Sequence, residues 1–300
     1  MKNVYICLLI SLCWIAGACN DSEDTTPSMA DKDRLEMLID QSNTDIVDFK
    51  QKYGTYILYE FDNLLDFAYQ FEEASAWRKA VITKLEKEDV PNAISFLKNN
   101  FLNCYTEHII KEYFPRKLLL CSKIYGETLG VSIVNGQTYH SAVANMNSVT
   151  FARLDRATLS GLTQAQKEDY LQQLHFIYLA GYVINARTHY FVDKVFYSYS
   201  STLYNSLMDS NRTQAKDLSD EFFYEKGFFR PDNESDTYFG TSENDLIAYT
   251  KNLILMDQAM HDKIQHYELM ENKMRLVALG LKNMGVQVEQ INPLIADFLK

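Results

Sequence analysis

The sequence lacks the short motifs by which common enzymes are recognised. Its 300 residues contain no Gly-x-Ser-x-Gly nucleophile elbow, no phosphate-binding loop and no dinucleotide-binding fingerprint. No Cys-x-x-Cys pattern occurs, and no two histidines are four residues apart, so the commonest thiolate and helical zinc motifs are excluded. Lysine and arginine are not clustered and the net charge is −11, so we expect no nucleic-acid partner.

The first apolar run is too short to cross a membrane. It extends from Val4 to Ile15, follows Lys2, and ends in three small residues before Cys19, whereas a spanning helix needs about 20 apolar residues. This arrangement resembles a bacterial lipoprotein signal, in which the residues before the cysteine are removed and the cysteine is acylated. We therefore expect residues 1–18 to be a signal peptide and Cys19 to carry the lipid that anchors the chain in a membrane.

An acidic, polar segment follows the cysteine. Residues 19–31 contain three carboxylates between Asn20 and Asp24, followed by serine, threonine and proline, which is typical of a solvated tether. The segment also resembles the acidic export tag that sends lipoproteins of certain Gram-negative gut bacteria to the outer face of the cell. We expect a lipid anchor in the outer membrane with the protein facing outside, and a periplasmic location is the alternative.

The pattern after the tether predicts a single α+β domain over residues 32–300. Aromatic and β-branched runs predict strands at Tyr53–Phe61, Pro115–Ile124 and Val149–Leu154. Val131–Tyr139, with Asn135-Gly136 in its middle, is expected to form a hairpin or a pair of edge strands. Helical periodicity covers Leu64 to Phe101, with a break at Val90-Pro91, and no strand is expected after Asp155.

The second half of the chain is predicted to be helix-rich. Thr163 and Gln166 resemble a capping box that opens a long helix towards Tyr199. Further helices are predicted at Asp217–Tyr224, Ser242–Gln258 and Gln265–Leu281. The connection from Gly227 to Gly240 is long and alternates polar with aromatic residues, which is typical of a functional loop.

The cysteines and histidines provide few candidates for catalytic or metal-binding residues. Cys104 and Cys121 lie in apolar surroundings, and the sequence is equally compatible with a bridge and with two buried thiols. His175 has Leu171, Tyr178 and Tyr182 at helical spacing, which favours a buried or half-buried ring bonded to tyrosine or backbone. His261 and His266 point about 140° apart on a helix, so we expect both at the surface.

Three stretches resemble a known family. They are the run FxxxYGTYILYEFD at 49–62, the run YFPRKLLL at 113–120, and the segment from Asp220 to Ala248 with its Lys-Gly-Phe and Ser-Glu-Asn-Asp sequences. Together they resemble the zinc-binding metallopeptidase lipoproteins of Bacteroidetes, which are commonly encoded beside starch-utilisation type outer-membrane uptake proteins. The resemblance implies a zincin-like α+β fold with a small mixed sheet in the first half. It also implies that the helix bearing His175 packs against that sheet.

The zinc helix of that family is not reproduced here. The family carries His-Glu-Phe-Gly-His, whereas residues 170–179 read YLQQLHFIYL. If His175 stands for the first histidine, the general base falls on Phe176 and the second ligand on Leu179. If His175 stands for the second histidine, the first ligand falls on Leu171 and the base on Gln172. Either register leaves one histidine and no glutamate, and losing both ligand and base removes the mechanism.

The later site segment is also depleted in carboxylates. Asn244 and Ala248 stand where acids are expected, which leaves Glu243 or Asp245. We therefore expect no zinc cofactor and no peptidase activity, and the weak candidates for a surviving zinc site are His175, His189 and Glu243. An active zinc metallopeptidase with a non-standard ligand set is the alternative.

The expected role is accessory binding or assembly in an outer-membrane nutrient uptake system. The ligand would be a glycan or a peptide, and the partners would be the uptake proteins. Aromatic residues of the long loop suit stacking on a ligand. The candidate contacts are Phe228, Phe229, Arg230, Tyr238 and Phe239.

Overall fold

Strand β3, Lys117–Tyr125, is the centre of a small mixed sheet. Its first half pairs in parallel with β1 (Tyr56–Leu58) on one side and β7 (Ser148–Phe151) on the other. Strand β6 (Ala142–Ala144) pairs antiparallel with β7, and β2 (Val81–Lys84) pairs antiparallel with the second half of β3. The first five residues of β3 are buried, as expected for a strand covered on both faces.

This computed structural model describes residues 31–68, 80–125, 133–134, 137–138, 140–187 and 191–300. Cys19 and His189 lie outside the described residues, and so does the acidic segment up to residue 30. The chain divides into a unit that ends at Leu38, with one described helix at Asp31–Leu38, and a body that spans Ile39–Lys300. Within the described part of the chain, every helix is too short or too polar to cross a membrane.

Helices pack around the sheet and form most of the second half. In the first half the helices are Thr44–Tyr53, Val90–Asn100 and Glu107–Tyr113. After the sheet they are Arg156–Gly161, Gln164–Phe176, Val195–Ser198, Asp220–Tyr224, Ser242–Leu255, Gln258–Ile264, Glu268–Met284 and Val288–Ile291. π-helical segments occupy Asn63–Phe67 and Ile177–Arg187, and a 3₁₀ segment occupies Pro293–Leu299. The predicted class, α+β with an early mixed sheet and a helix-rich second half, is confirmed.

Local signals in the sequence explain several element boundaries. The Thr163 side chain accepts from the backbone of Gln166, whose own side chain accepts from the backbone of Thr163, so the predicted capping box is present. Gly54 ends helix Thr44–Tyr53 with φ of +75°, a conformation that residues with a Cβ rarely adopt. In the stretch predicted as a hairpin or a pair of edge strands, β4 (Ile133–Val134) pairs antiparallel with β5 (Gln137–Thr138).

Two strands were not predicted and several boundaries differ. Val81–Lys84 was assigned to a helix, but its exposed and half-buried residues alternate along an edge strand, and Pro91 begins a helix instead of separating two. Ala142–Ala144 is too short to give a sequence signal. The long helix expected to run towards Tyr199 is α-helical only to Phe176 and continues as the π-helix Ile177–Arg187.

The helix with His175 packs against the sheet, as the family resemblance implied. The Tyr170 hydroxyl donates to the carbonyl of Ala152, just after β7. Ser141, beside β6, donates to the side chain of Gln173 at 2.8 Å. The helical second half is therefore joined to the sheet through the same helix that carries the candidate histidine.

A buried ion pair fixes the start of β3. The Lys117 ammonium lies 3.0 Å from Asp66 Oδ1 and also donates to the carbonyl of Leu65 at 3.1 Å, while Asp66 Oδ2 accepts from the Asp62 backbone at 2.8 Å. The side chains are 2% and 0% exposed. Removing one partner takes away the counter-ion of a buried charge, which costs far more than the pair itself contributes.

Replacement of Lys117 should therefore test this pair. We expect Lys117→Met to lower the free energy of unfolding by about 3–5 kcal/mol, and Lys117→Met with Asp66→Asn to recover part of that loss. Urea unfolding measures both. Lys52→Met breaks an exposed pair with Glu107 and should cost less than about 1 kcal/mol; equal losses in Lys117→Met and Lys52→Met would contradict the argument.

Candidate functional site

His175 is a core residue. Its side chain is 1% exposed, its ring stacks on Phe101 with centroids 4.6 Å apart, and its Nδ1 lies 2.6 Å from the Tyr105 hydroxyl. The expectation of a buried histidine bonded to tyrosine is confirmed.

The surroundings of His175 keep the ring neutral. Burial lowers the pKa of His175 to about 3 and holds the pKa of Tyr105 well above its usual value. The Tyr105 hydroxyl and Nδ1 of the neutral ring share one hydrogen bond, so this nitrogen is already engaged inside the protein in either tautomer.

The residues near His175 do not fit a zinc ion. Zinc needs three or four nitrogen, sulfur or carboxylate donors at about 2 Å, and no group of three or more such side chains is placed to hold a metal within the described ranges. Glu243 is exposed on helix Ser242–Leu255. His189 lies outside the described residues, so its candidacy is untested.

Asp245 is the buried carboxylate of the later segment, and a lysine holds it. Lys273 Nζ lies 2.6 Å from Asp245 Oδ2, and its other protons reach the carbonyl of Gly227 at 2.7 Å and Ser200 Oγ at 3.2 Å. Tyr204 donates to the same Oδ2 at 2.8 Å. Burial raises the pKa of Asp245 and lowers that of Lys273, and each partner's charge opposes the other's shift.

Aromatic rings surround the ammonium group of Lys273. The Lys273 ammonium lies 4.5 Å from the ring centroid of Tyr249, 4.6 Å from that of Phe196 and 5.0 Å from that of Phe228. Such rings attract a cation through their negative faces. The arrangement gives Lys273 a full set of partners and leaves no exposed part of its side chain.

A cavity of about 330 Å³ lies beside Asp245. It is bounded by Phe176, the loop after Gly227 and helix Ser242–Leu255. Its lining residues are Phe176, Phe228, Phe229, Arg230, Pro231, Asp232, Asn233, Asp236, Gly240, Asn244, Asp245, Ile247, Ala248, Lys251 and Asn252. This volume is at the lower end of the range for small-ligand sites.

Three of the five predicted ligand contacts line this cavity: Phe228, Phe229 and Arg230. Phe239 is buried like Phe228 and Phe229 but does not line the cavity, and its ring packs 4.6 Å from that of Phe228. Tyr238 is 45% exposed and pairs with Leu207 in a β-bridge. The sequence did not indicate a role for Lys273. A lysine in a helix is usually expected to be solvent-exposed, and helical periodicity alone does not show that this one is buried.

Backbone hydrogen bonds fix the last part of the loop from Gly227 to Gly240. Backbone amides donate from Met208 to the carbonyl of Thr237 and from Phe239 to that of Ser206, at 3.0 and 2.9 Å. The amide of Ala215 donates to the carbonyl of Asp236 at 2.8 Å. The cavity is therefore built on a loop whose backbone is tied to the segment before it.

The other candidates from the sequence, two cysteines and a histidine, are buried. Cys104 and Cys121 are both free and buried, and burial raises the pKa of each thiol, to about 11 for Cys104. The expectation of a surface position is wrong for His261, which is 4% exposed with Nε2 3.3 Å from Asp297. The C-terminal segment Pro293–Leu299 covers it, and helical spacing does not reveal such tertiary cover.

The low pKa of His175 predicts a loss of stability in acid. The unfolded ring takes up a proton below about pH 6.5, whereas the folded ring takes it up only near pH 3, so stability present above 6.5 is lost as the pH falls towards 3. Between about pH 7.5 and pH 5 this group should remove about 2 kcal/mol. Measured by urea unfolding, the free energy of unfolding of His175→Phe should fall less than that of the wild type over this pH range, by that amount. His266→Phe, at an exposed position, should follow the wild type. The same pH dependence in His175→Phe and in the wild type would refute the assignment.

Comparison with known proteins gives one structural likeness. No family model matches the chain, and no curated protein matches it either. The crystal structure of a putative zinc-binding metallo-peptidase from Bacteroides caccae is similar, with a TM-score of 0.42 and 11% sequence identity over 86% of this chain and 94% of that chain.

Proposed function

We propose that this chain is a lipid-anchored binding protein that holds a nutrient glycan or peptide in the cavity beside Asp245. It would serve as an accessory component of an outer-membrane uptake system, with residues 32–300 forming a zincin-like domain that has lost peptidase activity. The observation that carries the proposal is the cavity itself, which combines phenylalanine rings with carboxylate and amide side chains.

The location of the cavity supports a former active site. In one register of the family motif Phe176 replaces the general base, and the later helix retains a carboxylate at Asp245. Both residues line the cavity. In place of a metal, Asp245 has a lysine of its own chain as its cation, and His175 is turned into the core against Tyr105. The peptidase alternative would have to do without His175 Nδ1 and Asp245 Oδ2, which these contacts already occupy.

Filling the cavity tests the binding function. We expect Ala248→Trp, in the full chain solubilised in detergent, to abolish retention on the glycan or peptide supports that hold the wild type, because the new ring occupies the ligand volume. Ala296→Trp places the same ring at an exposed position in the C-terminal segment and should bind as the wild type does. Thermal unfolding confirms that both variants fold.

Zinc content distinguishes the binding proposal from the metallopeptidase alternative. Elemental analysis of the same protein, purified without chelator, should find no stoichiometric zinc. Zinc that is bound stoichiometrically and lost in His175→Ala, together with casein hydrolysis, would overturn the binding proposal.

The lipid anchor has its own test. Expressed in a Gram-negative host, the chain should partition into the detergent phase of a phase-separating detergent, and Cys19→Ala should move it to the aqueous phase, because acyl chains contribute about 0.8 kcal/mol per buried methylene. Cys104→Ala and Cys121→Ala alter buried thiols and should leave partitioning unchanged. Detergent-phase partitioning of Cys19→Ala would rule out this anchor.

A further inference from the structure

A second cavity, of about 210 Å³, lies between the sheet and two helices of the first half. Its walls are helix Thr44–Tyr53 and helix Val90–Asn100, and its floor is Ile57 of β1 and Leu118 of β3. These two floor residues are partners in the parallel pairing of β1 with β3, so their side chains lie side by side on one face of the sheet. Among the described residues, none lines both this cavity and the one beside Asp245.

The deep part of this second cavity is apolar. Phe49 and Tyr53, one turn apart on the same helix, hold their rings 4.8 Å apart in its wall, and Leu102 is half-buried beside them. The buried lining residues are Ile57, Ile94, Leu97 and Leu118. A polar ligand group placed among these four side chains would lose its hydration without gaining a partner, which is unfavourable. The part of a ligand that enters must therefore be apolar.

Charged residues surround the opening of this cavity. Asp45, Asp48 and Lys52 belong to one helix wall and Lys98 to the other, and all four are exposed. The Lys98 ammonium lies 2.8 Å from Asp45 Oδ1, so this pair joins the two walls at the rim. Because these charged ends reach solvent, they do not fill the gap between the helices as apolar side chains would.

The size of this cavity limits what can enter it. A dry apolar cavity of about 150 Å³ holds one benzene molecule, whereas a helix with its side chains is at least about 10 Å wide. The 210 Å³ present here therefore suits one aromatic ring with a small substituent, or two fused rings, and not a helix of another protein. The aromatic wall offers a ring ligand edge and face contacts that a saturated ring of the same size cannot make.

We propose that this second cavity binds a small aromatic molecule. The ring packs on the floor residues Ile57 and Leu118 and beside the two aromatic side chains of the wall, and a polar substituent lies at the charged opening. This inference goes beyond the proposed binding function, because it assigns another class of ligand to a separate part of the protein.

Calorimetric titration of the full chain in phospholipid nanodiscs tests the ligand class, with empty nanodiscs as the blank. The probes are indole, 4-methylphenol, 4-methylcyclohexanol and octanoate. We expect indole and 4-methylphenol to bind at one molecule per chain with Kd below about 1 mM. We expect 4-methylphenol to bind at least 3-fold more tightly than 4-methylcyclohexanol, which has the same heavy-atom skeleton without the aromatic ring.

Filling the second cavity tests its assignment as the binding site. Leu102→Trp enlarges a lining residue and should weaken 4-methylphenol binding at least 10-fold, because the new ring occupies the ligand volume. Leu64→Trp makes the same exchange at an exposed position in the π-helical segment Asn63–Phe67 and should leave affinity unchanged. Thermal unfolding reports whether both variants fold.

A milder variant tests the aromatic wall. Phe49→Leu keeps an apolar side chain of similar size at a half-buried position, so it should fold. It should reduce the preference for 4-methylphenol over 4-methylcyclohexanol to less than 2-fold, because the ring contacts are lost. This variant provides the test if Leu102→Trp does not fold.

The outcomes separate this inference from the proposed function. Ala248→Trp alters the other cavity and should bind 4-methylphenol as the wild type does; loss of binding in that variant would place the aromatic ligand there and overturn this inference. Unchanged binding in Leu102→Trp, an unchanged preference in Phe49→Leu, or no binding of any probe would also overturn it. Equal or tighter binding of 4-methylcyclohexanol or octanoate would overturn the aromatic ligand class. None of these results depends on whether glycan or peptide supports retain the protein.

Discussion

The helical half of this protein is organised around one buried charge pair. Lys273 comes from helix Glu268–Met284 and Asp245 from helix Ser242–Leu255, and the ammonium also binds the carbonyl of Gly227 and the hydroxyl of Ser200. Four segments distant in sequence therefore meet at a single nitrogen atom. Since a buried ammonium loses its hydration, each of these contacts is required to compensate it, and no segment can withdraw without leaving a charge unsolvated.

That pair also shapes the candidate site. It binds one oxygen of Asp245 and, with Tyr204, fixes the carboxylate orientation on the helix whose Asn244, Ile247 and Ala248 line the cavity. Gly227, whose φ is +73°, turns the chain from the carbonyl that binds Lys273 into Phe228 and Phe229 on the cavity wall. The aromatic loop and the helix that line the cavity are thus held by the same buried cation.

The features that the sequence predicted are those governed by neighbouring residues. The capping box at Thr163 and Gln166, the apolar strand centred on Leu118 to Leu120, and the pairing of Ile133–Val134 with Gln137–Thr138 all have local causes. What escaped prediction depends on distant partners. Val81–Lys84 is a strand because β3 offers it an edge, and His261 is buried because the C-terminal segment covers it.

The same distinction between local causes and distant partners applies to the residues of the candidate site. Phe228, Phe229 and Arg230 were found because a long aromatic loop is unusual in itself, whereas Asn244 was noted only as a missing acid. Lys273 gave no signal, because its role needs three segments that lie 28 to 73 residues away. Residue type and spacing indicate which residues could form a site. Tertiary contacts determine which of their charged groups are already paired within the protein.

The π-helix at Ile177–Arg187 has a consequence for any motif that depends on helical spacing. A two-histidine zinc motif depends on α-helical geometry, in which residues four apart share one face. Within the α-helix Gln164–Phe176, Leu171, Gln172 and His175 keep that spacing. From Ile177 onward the hydrogen bonds join residues five apart instead, so the same letters written into Ile177–Arg187 would not place two side chains on one face.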